Sequence, residues 1–296
     1  MHVSHFMHRN HTLTSLQRAT ALALLLLLAA ILLGVVVRVS GGLTFIDSTF
    51  AAAVSHLRKP WLDEAMMALS GFGDGLPRWC VTVLVMVYLV TTRRLRWALA
   101  LAVAMGASAV LAPVLKLLFH TARPSPLYTG ADAFSFPSGH ATAAATLYIL
   151  LGVIVAEGLP RSWRGVPLGL AAVIVALISL SRVYLGAHWL SDVLAGVALG
   201  SAIAVLGAAF GQDVGYRTAQ SRGWRDGLMI LACLGIVAAG TAQIVMAKAH
   251  RQYAPFLARE RVSVAPASSG AWWPRRAGID RSHGGRGDLV DAPSRP

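Results

Sequence analysis

The chain has 296 residues, 56% of them hydrophobic and only 13% charged, with a mean hydropathy of +0.61. A water-soluble domain carries about a quarter charged residues, so the composition excludes one and calls for a chain solvated largely by lipid. The charges are lopsided, +13 with His neutral, which suits nucleic acid, anionic lipid or a phosphorylated substrate and by itself selects none of them.

In chain order, residues 1–18 form an N-terminal arm in which His2, His5, His8 and His11 recur every third residue. A solvated arm accounts for them more simply than a metal site. Ala19–Val37 is an uncharged, Leu-rich run. It exceeds the 7–15 residues, roughly, of a signal-peptide apolar region and no small-x-small cleavage site follows Val37 directly, so it reads as an uncleaved first span. Trp61–Leu69 alternates apolar and acidic residues at helical spacing, as an interfacial helix or a packed linker would. Leu76–Thr92 is the second candidate span, with Pro77 and Arg78 at its start. Trp97–Leu115, Gly139–Ala156, Val166–Ser181, Val193–Gln212 and Gly227–Ala247 are free of charge and follow as spans three to seven. The stretch from 248 to 296 is basic, rich in Pro, Gly, Ser and Arg from Ala265 onward, and is expected to be disordered. Cys80 and Cys233 both fall in apolar stretches and read as packing residues.

Orientation follows from the loops. With the N-terminus inside, residues 1–18, 91–96, 157–165 and 211–226 are inner and hold ten Lys/Arg, against four (Arg38, Arg58, Lys59, Arg78) in the outer 38–78 loop.

Ionisable residues at membrane spans are costly and tend to mark function. Three clusters stand at span ends: Lys116-Leu-Leu-Phe-His-Thr-Ala-Arg123-Pro124, Phe134-Ser-Phe-Pro137-Ser138-Gly139-His140, and Ser181-Arg182-Val-Tyr-Leu-Gly-Ala-His188-Trp-Leu-Ser-Asp192. Alternating topology puts all three on one face. Singly, each has a plain structural reading. Lys116 and Arg123 could be snorkelling anchors, Ser138 an N-cap, and His188 with Asp192, four residues on, a structural pair. Their convergence on one side is what those readings leave unexplained. Three cations, a Pro-Ser-Gly turn opening a helix, two histidines and a carboxylate together suit phosphoryl transfer.

The three clusters, in the form K-x6-RP, PSGH and SR-x5-H-x3-D, resemble the signature motifs of the type 2 phosphatidic acid phosphatase (PAP2) superfamily, with every signature position filled in order. The resemblance covers roughly residues 40–212. It implies an all-α polytopic membrane protein with a six-span catalytic domain over 19–212, to which 227–247 adds a seventh span. It further implies a metal-independent phosphatase without cofactor. His188 would be the nucleophile, Asp192 its orienting carboxylate and His140 the general acid and base. Lys116, Arg123, Arg182, Ser138 and the Gly139 N–H would hold the phosphate oxygens. The partners implied are a lipid phosphate and the bilayer, with no nucleic acid. Undecaprenyl pyrophosphate, phosphatidylglycerophosphate and phosphatidic acid all suit an outward-facing site. Transfer to an acceptor other than water, or lipid-phosphate binding without turnover, would use the same residues.

Overall fold

A computed structural model of the chain describes residues 3–39, 44–125, 130–212 and 222–263. Among these the architecture is helical: α1 (Val3–Val39), α2 (Thr44–Ser55), α3 (Pro60–Gly71), α4 (Gly75–Thr91), α5 (Leu95–Phe119), α6 (Gly139–Glu157), α7 (Gly165–Tyr184), α8 (Leu190–Gly211) and α9 (Arg222–Ser263). Six of them, α1 and α5–α9, are long and apolar enough to cross a membrane, and α3 with α4 passes the same test as a pair bent by 44°. Six of the seven spans read from the sequence are thus helices of spanning length, the second, Leu76–Thr92, being α4, which passes only together with α3; the chain is a multi-pass membrane protein.

The outward faces are apolar, as a lipid solvent requires. Leu24, Leu25 and Leu32 of α1, Val103 and Val110 of α5, Leu170 and Val173 of α7, and Leu231 and Ile236 of α9 are all exposed. α6 is the central helix: 72% of its most apolar stretch is buried, against 22% for α1 and for α9. It packs against α7 and, most closely, α8. Small residues permit that approach, since lipid-solvated helices gain mainly from tight van der Waals contact. A Cβ on Gly196 would stand 2.6 Å from the Ser138 carbonyl oxygen, and one on Gly200 would collide with the carbonyl oxygen of Thr142. The threonine hydroxyls that α6 buries are satisfied locally, Thr142 donating to the Ser138 carbonyl and Thr146 to that of Thr142, each at 2.9 Å.

Three features differ from the sequence reading. α2 was not anticipated, being 12 residues long and too short to register as a span. Trp61–Leu69 lies within α3, which packs against α9 and α7 with Asp63 buried and accepting from the Tyr184 hydroxyl at 2.7 Å, so it is a packed element bent into α4. Third, the expectation of disorder from residue 248 fails for Lys248–Ser263, which continue α9 as helix. Met246, Ala249, Tyr253, Phe256 and Leu257 recur at helical spacing and pack against Val54, Met67, Tyr184, Leu185 and Ala187, which rewards the helix past the end of the span. Surrounding Arg, His and Lys residues hide that stripe from a hydropathy reading. At the other terminus the helix already runs from Val3, so residues 3–18 are continuous with the first span. His2, most of the 211–226 loop and the Ala265 tail lie outside the described residues.

α9 has 42 residues and is about 63 Å long at 1.5 Å per residue, roughly twice a hydrocarbon core. Its two ends are anchored at opposite ends of the bundle. Asp226 pairs with Arg94 and accepts from Tyr88, while Lys248 pairs with Asp74 at the end where α6 begins.

Candidate active site

The three sequence clusters meet at the α6 N-terminal end of the bundle. Lys116 sits in the last turn of α5, where a cation complements the helix dipole. It is buried, and its Nζ lies 3.0 Å from Oδ1 of the exposed Asp132. α5 stops at His120, which takes a left-handed conformation with φ of 47°. The strand-like segment that follows pairs Ala122 with Phe134, and Ser135 N–H donates to the Thr121 carbonyl at 2.7 Å. This short pairing holds Arg123, whose Nε donates to the Asp132 carbonyl at 2.7 Å and whose Nη1 donates to the carbonyl of Ala187.

The α6 start is built from the Phe136–Pro137 cis peptide and Ser138. Ser138 is the N-cap, its Oγ accepting the Ala141 N–H at 3.4 Å, and its own N–H donates to the Asp192 carbonyl at 3.0 Å. The second and third clusters are thereby joined directly. A methyl group placed on Gly139 would meet nothing within 4 Å, so open space faces the first turn of α6, where helix N–H groups lack intrahelical partners.

The third cluster is a turn between α7 and α8. Gly186 carries it with φ of +69°, a conformation that favours glycine. The Ala187 and His188 N–H groups both return to the Arg182 carbonyl, at 3.0 and 3.3 Å. His188 then precedes the N-cap residue Trp189, and Asp192 is the third residue of α8. The two do not share a helix face, as their spacing suggested. Asp192 instead reaches back over the helix start, its Oδ2 accepting the Trp189 N–H at 2.8 Å and standing 3.5 Å from His188 Nδ1. That separation exceeds a normal hydrogen bond, but it keeps the carboxylate beside the ring.

On the far edge of the ring, Nε2 lies 3.1 Å from Arg123 Nη1. A guanidinium has only donors, so Nε2 presents its lone pair and the proton belongs on Nδ1, toward Asp192. The His188 side chain is 2% exposed. Burial holds its pKa well below the ordinary imidazole value, helped by Arg123, Arg182, Lys116 and His140 in that order. The ring is neutral at pH 7, and all the cations named in the motifs act on it.

Arg182 is buried, and its Nη1 donates to Ser70 Oγ of α3 and to the Tyr253 hydroxyl of α9, the latter at 2.7 Å. His140, on the first turn of α6, stands with Nε2 4.0 Å from Asp74 Oδ1. Asp74 caps α4 through the Gly75 N–H. Beneath the third cluster, Asp47 of α2 accepts both the N–H and the Oγ–H of Ser191, at 2.9 and 2.7 Å. Sequence reasoning had singled out none of Asp47, Ser70, Asp74, Lys248 or Tyr253. Asp47, a lone carboxylate in an apolar run, was the one visible signal.

The PAP2 superfamily sequence model matches residues 97–216, which contain all three clusters. Phosphatidylglycerophosphatase B of Bacillus subtilis is 30% identical over 57% of this chain and 84% of that protein. The chain belongs to the PAP2 superfamily. A decaprenylphosphoryl-5-phosphoribose phosphatase of Mycobacterium tuberculosis is 33% identical over 50% of this chain and 80% of its own length. An undecaprenyl-diphosphatase of Sulfolobus acidocaldarius is 28% identical over 62% and 87%. The fold matches the crystal structure of a transmembrane PAP2-type phosphatidylglycerolphosphate phosphatase from Bacillus subtilis with a TM-score of 0.57 and 28% identity, covering 62% of this chain and 93% of that one. The protein is accordingly a membrane-embedded hydrolase of the PAP2 type.

Proposed function

We propose that this PAP2 protein hydrolyses a phosphate or pyrophosphate group carried by a lipid, through a phosphohistidine formed on His188, without a metal ion. The observation that carries the reading is the buried His188 ring, with the Asp192 carboxylate 3.5 Å from Nδ1 and Arg123 Nη1 3.1 Å from Nε2. Nε2 attacks phosphorus as the bond from phosphorus to the leaving oxygen breaks, and His140 gives that oxygen a proton. Positive charge building on the His188 ring is stabilised by Asp192. Water then attacks the phosphohistidine, His140 takes the proton, and His188 is released with inorganic phosphate. Lys116, Arg123 and Arg182 bind the non-bridging oxygens together with Ser138 and the Gly139 N–H. These three side chains supply the positive charge that a divalent cation would otherwise bring.

Relatives named for a phosphatidylglycerophosphate, a decaprenyl-phosphoribose phosphate and an undecaprenyl diphosphate support a phosphate on an apolar anchor as the shared element. So does an apolar cavity of about 570 Å³ between α7 and α8, lined by Phe50, Val183, Leu190, Val193 and Leu194 among others. Leu190 and Val193 lie two and five residues after His188 in the first turns of α8, so a lipid tail seated there would place its phosphate toward the end of the bundle that holds the ring. The ten inner-loop Lys/Arg favour a site on the outer face of the cell membrane.

The test is phosphate release by detergent-solubilised protein from phosphatidylglycerophosphate, phosphatidic acid and undecaprenyl pyrophosphate, with and without EDTA. Release from at least one, unaffected by EDTA, is expected. Activity lost to EDTA and restored by Mg²⁺ would contradict the metal-free mechanism, and binding of all three without release would make the protein a lipid-phosphate binder.

A further inference from the structure

The motifs account for Arg182 but not for what holds it. An arginine on a long flexible stem contributes to a transition state only if its guanidinium is fixed beforehand. Here Tyr253 and Ser70 take the Nη1 hydrogens, and the Tyr253 ring centroid lies 5.7 Å from the guanidinium carbon. Both Tyr253 and Arg182 are buried, so the pair is a packed contact rather than a surface one.

The helix that carries Tyr253 is locked in register against the rest of the site. One turn before it, Lys248 Nζ bonds both oxygens of Asp74, at 2.9 and 2.8 Å, the carboxylate that faces His140. One turn after it, Phe256 closes on Gly186, where an added Cβ would come within 2.7 Å of the ring. Arg58 spans the same point, its guanidinium 5.1 Å from the Phe256 ring and 5.4 Å from that of Tyr184, with a 2.8 Å bond to the Tyr184 carbonyl. Leu257 is buried beside Tyr184 and Leu185. All of these α9 residues lie beyond residue 216, where the family match ends.

We infer that Tyr253 is a positioning residue for Arg182, and that the end of α9 is through it a working part of the phosphate site. The inference rests on the assignment of Arg182 as a phosphate ligand above. Its test is Tyr253→Phe, which removes one hydroxyl and keeps the ring. Orthovanadate, a phosphate-shaped oxyanion, is titrated into purified wild type, Tyr253→Phe, Arg182→Gln and the double variant. Thermal unfolding is recorded for each.

The expected result is a roughly tenfold weaker vanadate affinity and a similar fall in kcat/KM for Tyr253→Phe, with an unfolding midpoint like the wild type. The double variant should be no weaker than Arg182→Gln alone, because the hydroxyl acts only through the guanidinium. If Arg182→Gln binds vanadate more weakly while Tyr253→Phe binds like the wild type, or if the two losses simply multiply, the positioning role is wrong and the ligand role of Arg182 stands. If Arg182→Gln itself binds vanadate like the wild type, both fall together.

Discussion

Both ends of this bundle hold buried charge, and they hold it differently. Away from the site, Arg94 meets two carboxylates, Glu157 at 3.0 Å and Asp226, with Trp97 and Tyr88 completing the hydrogen bonds. α5, α6 and α9 are joined there by groups of opposite sign, and α4 by the Tyr88 hydroxyl. At the site, Arg123 and Arg182 donate to backbone carbonyls, hydroxyls and an imidazole, and Lys116 leans on a carboxylate that is 73% exposed. A cluster neutralised internally is a fastener. Cations that spend bonds on carbonyls, hydroxyls and a solvent-facing carboxylate can exchange those bonds for an anionic ligand, which is what a phosphate site needs.

That contrast predicts opposite phenotypes. Asp192→Asn leaves the fold nearly intact but removes the charge beside the His188 ring, and kcat should fall by about 10²–10⁴ in a phosphate-release assay. Arg94→Ala should do the reverse, leaving Glu157 and Asp226 without their cation. A loss of about 3–5 kcal/mol in stability is expected from unfolding in detergent, with kcat per folded molecule unchanged.

A smaller effect separates the ends by pH. His188 is held neutral in the folded protein with its pKa well below 6.5, so between 6.5 and that lowered value the unfolded chain binds a proton that the native chain does not. Stability attributable to His188 therefore falls as pH drops through this window, by at most about 1.4 kcal/mol per pH unit. The unfolding midpoint of the wild type minus that of His188→Gln should fall between pH 7.5 and 5.5. The smallest effect belongs to Asp132. Its ion pair with Lys116, solvent-facing on the Asp132 side, is worth about 0.2–1 kcal/mol, so Asp132→Asn should lower KM by up to about fivefold as that competing carboxylate is removed.

What the sequence disclosed divides along the same line. The spans were legible because uncharged apolar runs need no partner to be recognised. The three clusters were legible because each is a local pattern. The His188–Asp192 spacing suggested a shared helix face, whereas Asp192 caps the helix start and reaches to 3.5 Å from His188 Nδ1. Contacts between distant segments were not legible. Ser70 and Tyr253 reach Arg182 across 112 and 71 residues, and Lys248 and Tyr253 sit in a stretch whose charge resembles a tail. Asp47 illustrates the same limit. Its isolation among apolar residues was visible, yet its partner Ser191 lies 144 residues away.

Whether His188 is the nucleophile is read from phosphate release from a solubilised lipid phosphate by His188→Ala beside the wild type, both shown to be folded. If Nε2 of His188 attacks phosphorus, the variant loses at least about 10⁴-fold, to the assay background. Release by the variant within tenfold of the wild-type rate would contradict it.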